Sequence, residues 1–438
     1  MKRVLIISYY WPPTGGSGVQ RWVKFAKYLP LEGWQPVIYT PENPEQLVID
    51  HSLEAEIPAE AEIIKTRILE PYSLYKKFLK GSGHSKEAVE VNPVNAQNKS
   101  LLQKAAMWIR GNLFLPDPRC MWIRPSVRFL KKYLKEHPVD IIVSTGPPQS
   151  MHLIGMKLSE ATGIPWIADF RDPWTKIFYF KHLFLSKASE RWHKKMEKQV
   201  LDKASAVVAV SPLVQQEFQA MTDTPVELIT NGFDECDFPD GKADGPENDF
   251  IITHTGLFAA DGNPTVLWKV LSEKCKADNG FRKALKIRLI GKTDAQVLKA
   301  LEDAGLQENL EDMGYQPHAV ATQAQRNASI LILPLRKEPE YKAVLPGKLF
   351  EYLASRRPVL GIGQPDGAMA MILNRTRTGT VLDWEDMESI TGFINDCWDR
   401  HIKGELGTEG ADISGFTRRN LTRQMVELFD SCGKQRKI

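Results

Sequence analysis

The sequence predicts an α/β protein of two doubly wound domains, each built on a parallel sheet. Short apolar runs alternate with amphipathic helical segments almost throughout, which is the pattern of parallel sheets covered by helices. The 438 residues exceed what one hydrophobic core usually holds. The segment Asp234–Asp249 is rich in Asp, Gly and Pro and poor in apolar residues, which is typical of a linker. We therefore expect one domain over residues 1–240 and another over 248–412.

The apolar runs predict eleven strands, six before the linker and five after it. They cover residues 4–8, 36–40, 141–144, 166–169, 206–211, 226–229, 250–255, 286–290, 328–334, 358–362 and 379–382. Apolar periodicity predicts helices that include residues 19–29, 125–134, 188–203 and 417–432. The last of these carries an apolar stripe and is expected to pack against another part of the chain. Residues 81–100 are polar and are predicted to form a mobile insertion.

Composition excludes several classes of protein. The mean hydropathy is −0.31 and no apolar run reaches ~18 residues, so the sequence predicts no transmembrane helix. The start Met1-Lys2-Arg3 resembles a signal peptide, but a glycine loop follows where a cleavage site would stand, so a first strand is expected. The five cysteines are scattered without ligand spacing, which favours a cytoplasmic location and no structural zinc.

Positive charge is concentrated between residues 72 and 135. This window holds 13 Lys and Arg against three acids, a net charge of +10, while the rest of the chain carries −7. Aromatic residues such as Trp108 and Trp122 are interleaved with the cations. That combination suits an anionic membrane surface. A solvated helix face is the plain alternative, and no nucleic-acid-binding module is visible.

A glycine loop follows the first predicted strand and opens the first predicted helix. Gly15, Gly16, Ser17 and Gly18 would let the backbone approach a ligand and offer amides to an anion. Arg21 stands where the dinucleotide fingerprint needs its third glycine, and no phosphate-loop motif of ATPases is present. A plain strand-to-helix turn is the alternative.

Charged residues follow a buried strand in the same half of the chain. Asp169, Arg171 and Asp172 come at its end, where open α/β sheets place ligand-binding groups, and they are candidate catalytic residues. One of the carboxylates could instead pin the arginine. His152 is a further catalytic candidate, and a buried core histidine is equally expected there.

The second half contains a Pro-Gly turn before a short helix. The turn of Pro346 and Gly347 would leave backbone N–H groups free for an anion at the start of the helix, where Leu349 lies, and Lys348 would add a positive charge. Glu351, one turn along, suits the hydroxyls of a ribose. The segment predicts a nucleotide site.

In its order of motifs, the chain resembles the retaining family 4 glycosyltransferases of the GT-B fold over essentially its whole length. The motifs are Gly15-Gly16-Ser17-Gly18, Thr145-Gly146-Pro147-Pro148, Asp169-Phe170-Arg171-Asp172-Pro173-Trp174, Asn231-Gly232-Phe233-Asp234, His254-Thr255-Gly256, Leu289-Ile290-Gly291, Met313-Gly314-Tyr315 and Pro346-Gly347-Lys348-Leu349-Phe350-Glu351. The resemblance implies two Rossmann-like domains facing a cleft, with a nucleotide-sugar donor in the C-terminal domain. It implies an acceptor in the N-terminal domain, and a terminal segment, 413–438, that returns to that domain. It adds Gly256, Lys292 and Tyr315 to the donor-binding candidates, and implies neither a metal nor a cofactor beyond the substrate, with UDP or GDP as product.

The sequence departs from the family at two places. The first of the family's two donor-site glutamates falls on Ala343, and Leu257–Thr265 lacks the Arg and Lys that the family carries after the glycine matching Gly256. Lys348, Lys292 and Arg336 are candidate substitutes. We expect a metal-independent hexosyltransferase that modifies a surface glycan or a lipid-linked acceptor. If the protein is a peripheral membrane protein, it is expected at the inner face of the membrane. A nucleotide-sugar epimerase or a catalytically degenerate scaffold of the same fold is the alternative.

Overall fold

The computed structural model describes residues 1–45, 49–70, 101–238, 248–408 and 411–435. The chain divides into two compact units, one comprising Met1–Thr230 with Leu421–Ile438 and the other Asn231–Asn420. The predicted insertion at 81–100 and the centre of the predicted linker lie outside the described residues.

The first unit is built on a seven-stranded sheet in which every pair of neighbours is parallel. Its strands lie in the order β3-β2-β1-β4-β5-β6-β7. They are β1 (Lys2–Ile7), β2 (Trp34–Pro41), β3 (Glu62–Thr66), β4 (Ile141–Gly146), β5 (Trp166–Phe170), β6 (Ala206–Ala209) and β7 (Val226–Leu228). The central strands are apolar on both faces because helices cover both sides of the sheet.

Seven helices described by the structure belong to this unit. They are α1 (Ser17–Tyr28), α2 (Leu101–Leu113), α3 (Ile123–Glu136), α4 (Ser150–Thr162), α5 (Lys187–Lys203), α6 (Pro212–Gln219) and, at the end of the chain, α14 (Arg418–Gln435). The stripe of α14 packs with Val4, Trp34 and other residues of α1, β1 and β2 in one core: Leu421, Met425, Leu428, Phe429 and Cys432. The last segment of the chain is thus part of the first hydrophobic core.

The second unit has a six-stranded parallel sheet in the order β10-β9-β8-β11-β12-β13. The strands are β8 (Phe250–Thr255), β9 (Leu285–Ile290), β10 (Leu310–Gly314), β11 (Ile330–Pro334), β12 (Val359–Ile362) and β13 (Gly379–Leu382). Its helices are α7 (Thr265–Ala277), α8 (Asn279–Ala284), α9 (Ala295–Asp303), α10 (His318–Arg326), α11 (Lys348–Ala354), α12 (Ala368–Thr376) and α13 (Met387–Ile402). The prediction of two doubly wound α/β sheets is confirmed.

The division between the units falls ten residues before the predicted end of the first domain at residue 240. Phe233 explains the difference, because its strand-like bridge joins it to Thr417 and its carbonyl accepts a hydrogen bond of 2.8 Å from the Arg418 amide. The segment after Thr230 is thereby tied to residues of the second unit.

Candidate functional site

Asp169, at the end of β5, is the centre of a buried network in the first unit. Arg21 of α1 forms an ion pair of 2.8 Å with its carboxylate, and both side chains are fully buried. Trp22 Nε1 and Thr145 Oγ1 donate further hydrogen bonds of 2.7 and 2.8 Å. Burial alone would raise the pKa of Asp169, but Arg21 and these hydrogen bonds hold it below its ordinary value.

Arg21 is fixed on its other side by the chain after β7. Its guanidinium donates to the carbonyls of Thr230 at 2.7 Å and Ile229 at 2.9 Å. The ion pair therefore joins α1, β5 and the end of β7. Because no part of its carboxylate is exposed, Asp169 has the position of a structural residue and not the catalytic one predicted for it; the arginine that it pins is Arg21, not Arg171.

His152, the second catalytic candidate, is also enclosed. Its Nδ1 lies 2.9 Å from Ser144 Oγ, and its ring stacks on Phe170 with centroids 4.3 Å apart. Burial lowers the pKa of His152 to about 3, so the imidazole is neutral at physiological pH. These contacts are those of a buried core histidine, which is the alternative given above for His152.

Arg171 lies at the meeting point of three loops and is only half-buried. Its guanidinium donates to the carbonyls of Gly146, at 3.3 Å, and Pro147. A Cβ on Gly18 would lie 2.0 Å from Nη1, so the glycine loop needs this glycine to admit the arginine. No carboxylate lies within ion-pair distance of Arg171 in the described part of the chain.

Asp172 is the half-buried carboxylate beside Arg171. Burial raises the pKa of Asp172 to about 6, against the opposing effect of Arg171. Within the described ranges it has neither a hydrogen-bond donor nor an ion-pair partner. Arg171 and Asp172, rather than Asp169 and His152, thus keep polar groups available for a ligand at the carboxyl end of β5.

The glycine loop opens α1 without a side-chain cap. Gly16 precedes the helix with φ of 110°, and no acidic residue stands in the first turn. The N-terminus of α4 differs, because Asp117 accepts hydrogen bonds from the Ser150 amide and hydroxyl at 2.8 and 2.9 Å. Gly15 is half-buried and Gly16 exposed; the side chain of Ser17 lies outside the described part. The amides of α1 suit an anion better than those of α4.

In the second unit, glycines stand at the carboxyl ends of three neighbouring strands. Gly256 follows β8, Gly291 follows β9, and Gly314 ends β10. They are linked by hydrogen bonds from the Gly256 amide to Ile290 O (2.6 Å) and from the Gly291 amide to Gly314 O (2.7 Å). A Cβ on Gly291 would lie 2.4 Å from Gly256 O, so the loops approach more closely than any side chain allows.

Lys348 reaches from the start of α11 to this glycine row. A Cβ on Gly256 would lie 3.0 Å from Lys348 Nζ. The ammonium donates to His254 Nε2 at 3.3 Å and Leu257 O at 3.4 Å, both of them uncharged groups. Burial lowers the pKa of Lys348 to about 8 and, with Lys348, that of His254 to about 3. His254 Nδ1 lies 3.1 Å from the Ile332 carbonyl, closer than the 3.4 Å between Nε2 and Leu257 O, so we assign the ring proton to Nδ1 and leave Nε2 to accept from Lys348.

Glu351 lies one turn further along α11. Gln325 Nε2 donates to its carboxylate at 3.0 Å, and His318 Nε2 lies 3.4 Å from the other oxygen. Burial would raise the pKa of Glu351, but the contacts with His318 and Gln325 and the charge of Lys348 lower it. Its side chain is still 25% exposed, so an ionised carboxylate faces solvent. Gln325 also donates to Thr255 Oγ1 at 3.1 Å and anchors the carboxylate to β8.

The other donor-site candidates lie around this group. Tyr315 is 91% exposed after β10, and Lys292 is exposed after β9. Arg336 forms an ion pair of 3.0 Å with Asp261, and Ala343 ends a short turn of 3₁₀ helix. The Leu349 amide, predicted to face an anion, donates instead to Pro346 O at 3.0 Å. Lys348 is the charged group that this segment offers to an anion.

Sequence reasoning missed three residues of these sites. From the sequence, Arg21 stands out only because it interrupts a glycine motif. Its position among the apolar residues of an amphipathic helix could have indicated a buried carboxylate partner. Gln325 gave no signal, because its contact with Glu351 joins α10 and α11. His254 was part of a motif, but its role as acceptor for Lys348 depends on the fold.

Metal binding and membrane insertion each require a particular arrangement of side chains. Within the described residues there is no cluster of three or more His, Cys, Asp or Glu that could hold a metal ion. Among the helices that the structure describes, none is both long and apolar enough to cross a membrane.

The chain is similar to known glycosyltransferases. Residues 95–235 match the model of Glycosyltransferase Family 4, and no curated protein sequence matches the chain. A glycosyltransferase from Rickettsia africae ESF-5 is 16% identical, with a TM-score of 0.62 and 98% of each chain covered. Sucrose-phosphate synthase from Thermosynechococcus elongatus is 14% identical, with a TM-score of 0.64, over 98% of this chain and 99% of that one.

A third structure is TarM from S. aureus in complex with fondaparinux, α-GlcNAc-glycerol and UDP. It is 11% identical, with a TM-score of 0.62, over 98% of this chain and all of the other. Identities this low establish the fold alone, and the fold is GT-B. Residues 95–235 thus resemble Glycosyltransferase Family 4, and the whole chain has the GT-B fold of known glycosyltransferases.

Proposed function

We propose that the protein transfers a sugar from a nucleotide-sugar donor, held by its second unit, to a glycan or lipid-linked acceptor. The observation that carries this proposal is the half-buried Lys348, whose ammonium lies over Gly256 without a carboxylate partner in the described part of the chain. A lysine in that position needs an anion to complete its contacts. The diphosphate of a nucleotide sugar has the charge to do so.

Glu351 supports a nucleoside beside the diphosphate. Its ionised carboxylate is held from one side by Gln325 and His318 and exposes its other face. Carboxylate oxygens accept hydrogen bonds from both hydroxyls of a ribose. Tyr315 adds an exposed aromatic ring, the kind of side chain on which a base stacks. UDP is bound in the TarM structure, which makes a uridine or other nucleoside diphosphate the reasonable product.

The first unit would recognise the acceptor. Asp172 and Arg171 are the polar side chains left available at the carboxyl end of β5, and the uncapped start of α1 offers amides. A sugar hydroxyl can donate to Asp172, and Arg171 can donate to an acceptor oxygen. The glycan fondaparinux in the TarM structure agrees with this class of acceptor.

Transfer of a hexose with retention is part of the proposal, and the resemblance to the retaining family 4 glycosyltransferases supports it. The bond between the anomeric carbon and the diphosphate oxygen breaks, and the acceptor oxygen bonds to that carbon. The acceptor proton goes to the departing diphosphate, whose charge Lys348 stabilises. Since this role falls to a lysine, we expect transfer without a resident metal.

The location is proposed on the same footing. A lipid-linked acceptor for surface polysaccharide would place the protein in the cytoplasm, at the inner face of the membrane. The predicted contact through residues 72–135 remains a prediction, since residues 71–100 lie outside the described part.

A second candidate function rests on the altered donor site. Ala343 carries no carboxylate for the transferred sugar, and Arg336, a predicted substitute for the missing cations, is paired with Asp261. A nucleotide-sugar epimerase or a binding-only scaffold would tolerate such a site.

Nucleotide release distinguishes these functions. The protein is incubated with UDP-, GDP- and ADP-sugars, with and without a cell-envelope extract as acceptor. Release that requires both donor and extract supports transfer, and silence with every donor contradicts it. NMR of the donor incubated with protein alone reveals epimerisation, and binding without turnover indicates a scaffold. At a donor concentration below the Kd, Glu351→Ala should weaken any signal that depends on the donor site by about 10–100-fold. Glu388→Ala, on the exposed start of α13, should leave it unchanged.

A further inference from the structure

Four large apolar side chains are exposed on neighbouring pieces of the first unit. Trp108 and Leu113 of α2 are 47% and 64% exposed, Phe184 before α5 is 44% exposed, and Trp192 of α5 is 54% exposed. Single exposed apolar residues are common on protein surfaces. Several large ones on adjoining elements are not, and they indicate an interaction surface.

Asn112 brings these elements together. Its Nδ2 donates to Phe184 O at 3.1 Å and to Trp108 O at 2.8 Å, and its Oδ1 accepts from the Ser186 amide at 2.7 Å. Ser186 in turn caps α5, because its hydroxyl accepts from the Ser189 amide at 3.2 Å. One side chain therefore fixes α2, the turn at Phe184 and the start of α5 against each other.

Three cations accompany the apolar residues. Lys187, Arg191 and Lys195 are exposed at successive turns of α5, away from the buried stripe of Ser189, His193 and Glu197. None of the three has a carboxylate partner in the described ranges. Lys195 Nζ lies 5.2 Å from the centre of the Trp192 ring, so charge and apolar surface adjoin.

The remaining lysines of the same helix behave differently. Lys194, Lys198 and Lys203 pair with Glu190, Asp202 and Glu160. The helix thus carries one set of cations paired with carboxylates and one set that, among the described residues, has no carboxylate partner; Lys195 of the second set adjoins Trp192.

We propose that the α2–α5 surface, formed by Trp108, Leu113, Phe184 and Trp192 with Lys187, Arg191 and Lys195, binds an anionic lipid bilayer. A bilayer supplies negative headgroups for the cations and an apolar boundary for the aromatic and aliphatic side chains. A nucleic acid would pair with the cations but would leave Leu113 and Phe184 without an apolar partner. Most of this surface lies outside the basic window at residues 72–135, and the proposal does not depend on sugar transfer.

Vesicle sedimentation tests the cations with a matched pair of variants. The variant Lys187→Gln, Arg191→Gln, Lys195→Gln and the control Lys194→Gln, Lys198→Gln, Lys203→Gln each remove three positive charges from α5. With vesicles of phosphatidylglycerol and phosphatidylcholine we expect affinity to fall about 100-fold in the first, at about fivefold per cation, and little in the control. Equal loss in both variants, or unchanged binding in the first, would overturn the proposal. Thermal midpoints check that both variants are folded.

The apolar side chains are tested with phosphatidylcholine and brominated lipid. Binding of the wild type to the anionic vesicles should weaken in 1 M salt without vanishing, because salt screens the charges but not the apolar contacts. Brominated lipid should quench its tryptophan fluorescence. Trp108→Ala with Trp192→Ala should remove the residual binding. Wild-type protein that binds neither kind of vesicle, or that binds heparin and RNA but not vesicles, would show that the partner is not a bilayer.

Discussion

The carboxyl edges of the two sheets carry the same kinds of residue but use them differently. In the first sheet, Asp169 is fully buried and bonded to the charged Arg21 and to two neutral donors. In the second, Glu351 is held by Gln325 and His318 and keeps an exposed face. A carboxylate with a complete set of buried partners stabilises the fold, whereas one with an open face can bind a ligand.

The cations show the same contrast. Arg21 donates to a carboxylate and to two carbonyls, so its hydrogen bonds complete the core. In the described part of the chain, the hydrogen bonds of the Lys348 ammonium go to the neutral groups of His254 and Leu257. Burial and the charge of the partners, not residue type, therefore distinguish the structural pair of Arg21 and Asp169 from the candidate donor site of Lys348 and Glu351.

The largest effect should come from Asp169→Ala. Removing the carboxylate leaves the Arg21 guanidinium buried without its counter-charge, which costs about 3–5 kcal/mol of unfolding free energy. Urea unfolding followed by tryptophan fluorescence measures the loss. UDP affinity should persist at urea concentrations where the variant remains folded, since the donor site belongs to the other unit.

The matched control replaces both partners. Arg21→Met with Asp169→Leu removes the two charges together and should recover most of the lost stability. If Asp169→Ala unfolds at the wild-type urea concentration but loses turnover, Asp169 is a catalytic residue and the comparison fails.

Next in size is the effect of Glu351→Ala on donor binding. The substitution removes charge-assisted hydrogen bonds of about 1.5–3 kcal/mol, so calorimetry should show the Kd for UDP or GDP rising about 10–100-fold. Folding should change little, because Gln325 keeps its bond to Thr255. Normal nucleotide affinity, or an unfolded variant, would make Glu351 a structural residue like Asp169.

A smaller effect is expected from pH at Lys348. Its pKa of about 8 means that the ammonium is charged at pH 7 and mostly neutral at pH 9. Nucleotide affinity should therefore fall about tenfold between these values, because the anion binds the protonated form. Lys348→Arg stays charged and should flatten the profile. A wild-type profile that is flat to pH 9 would remove Lys348 from the site.

The smallest effect concerns Asp172. Its pKa of about 6 predicts that turnover falls about fourfold at pH 5.5 relative to neutral pH, as the carboxylate that receives the acceptor hydroxyl becomes protonated. Asp172→Asn should have lower turnover and no acid limb near pH 6, with UDP affinity unchanged. An acid limb that survives the substitution would assign that titration to another group.

Much of the fold was predictable because its central strands are continuous apolar runs. Two strands were not predicted, β3 (Glu62–Thr66) and β10 (Leu310–Gly314), and both are edge strands with a single neighbour. An edge strand buries less surface, so its sequence can stay polar and loses the apolar signal.

The candidate sites were predictable only as segments. The sequence predicts Asp169 at the end of a strand and Glu351 in the first turn of a helix, where the structure has them. The partners that decide their roles are distant in the sequence: Arg21 is 148 residues away from Asp169, and Gln325 is 26 from Glu351. Such pairings depend on how strands and helices are arranged in space. For the same reason, the sequence alone could not decide whether His152 is a core residue or a catalytic one.

A crystal structure of the protein with UDP or GDP tests the central claim most directly. We expect the diphosphate within hydrogen-bond distance of Lys348 Nζ, above Gly256, and the ribose hydroxyls within hydrogen-bond distance of the Glu351 carboxylate. A nucleoside bound only by the first unit, against Gly15–Gly18 and Arg171, with Lys348 and Glu351 contacting solvent, would contradict it.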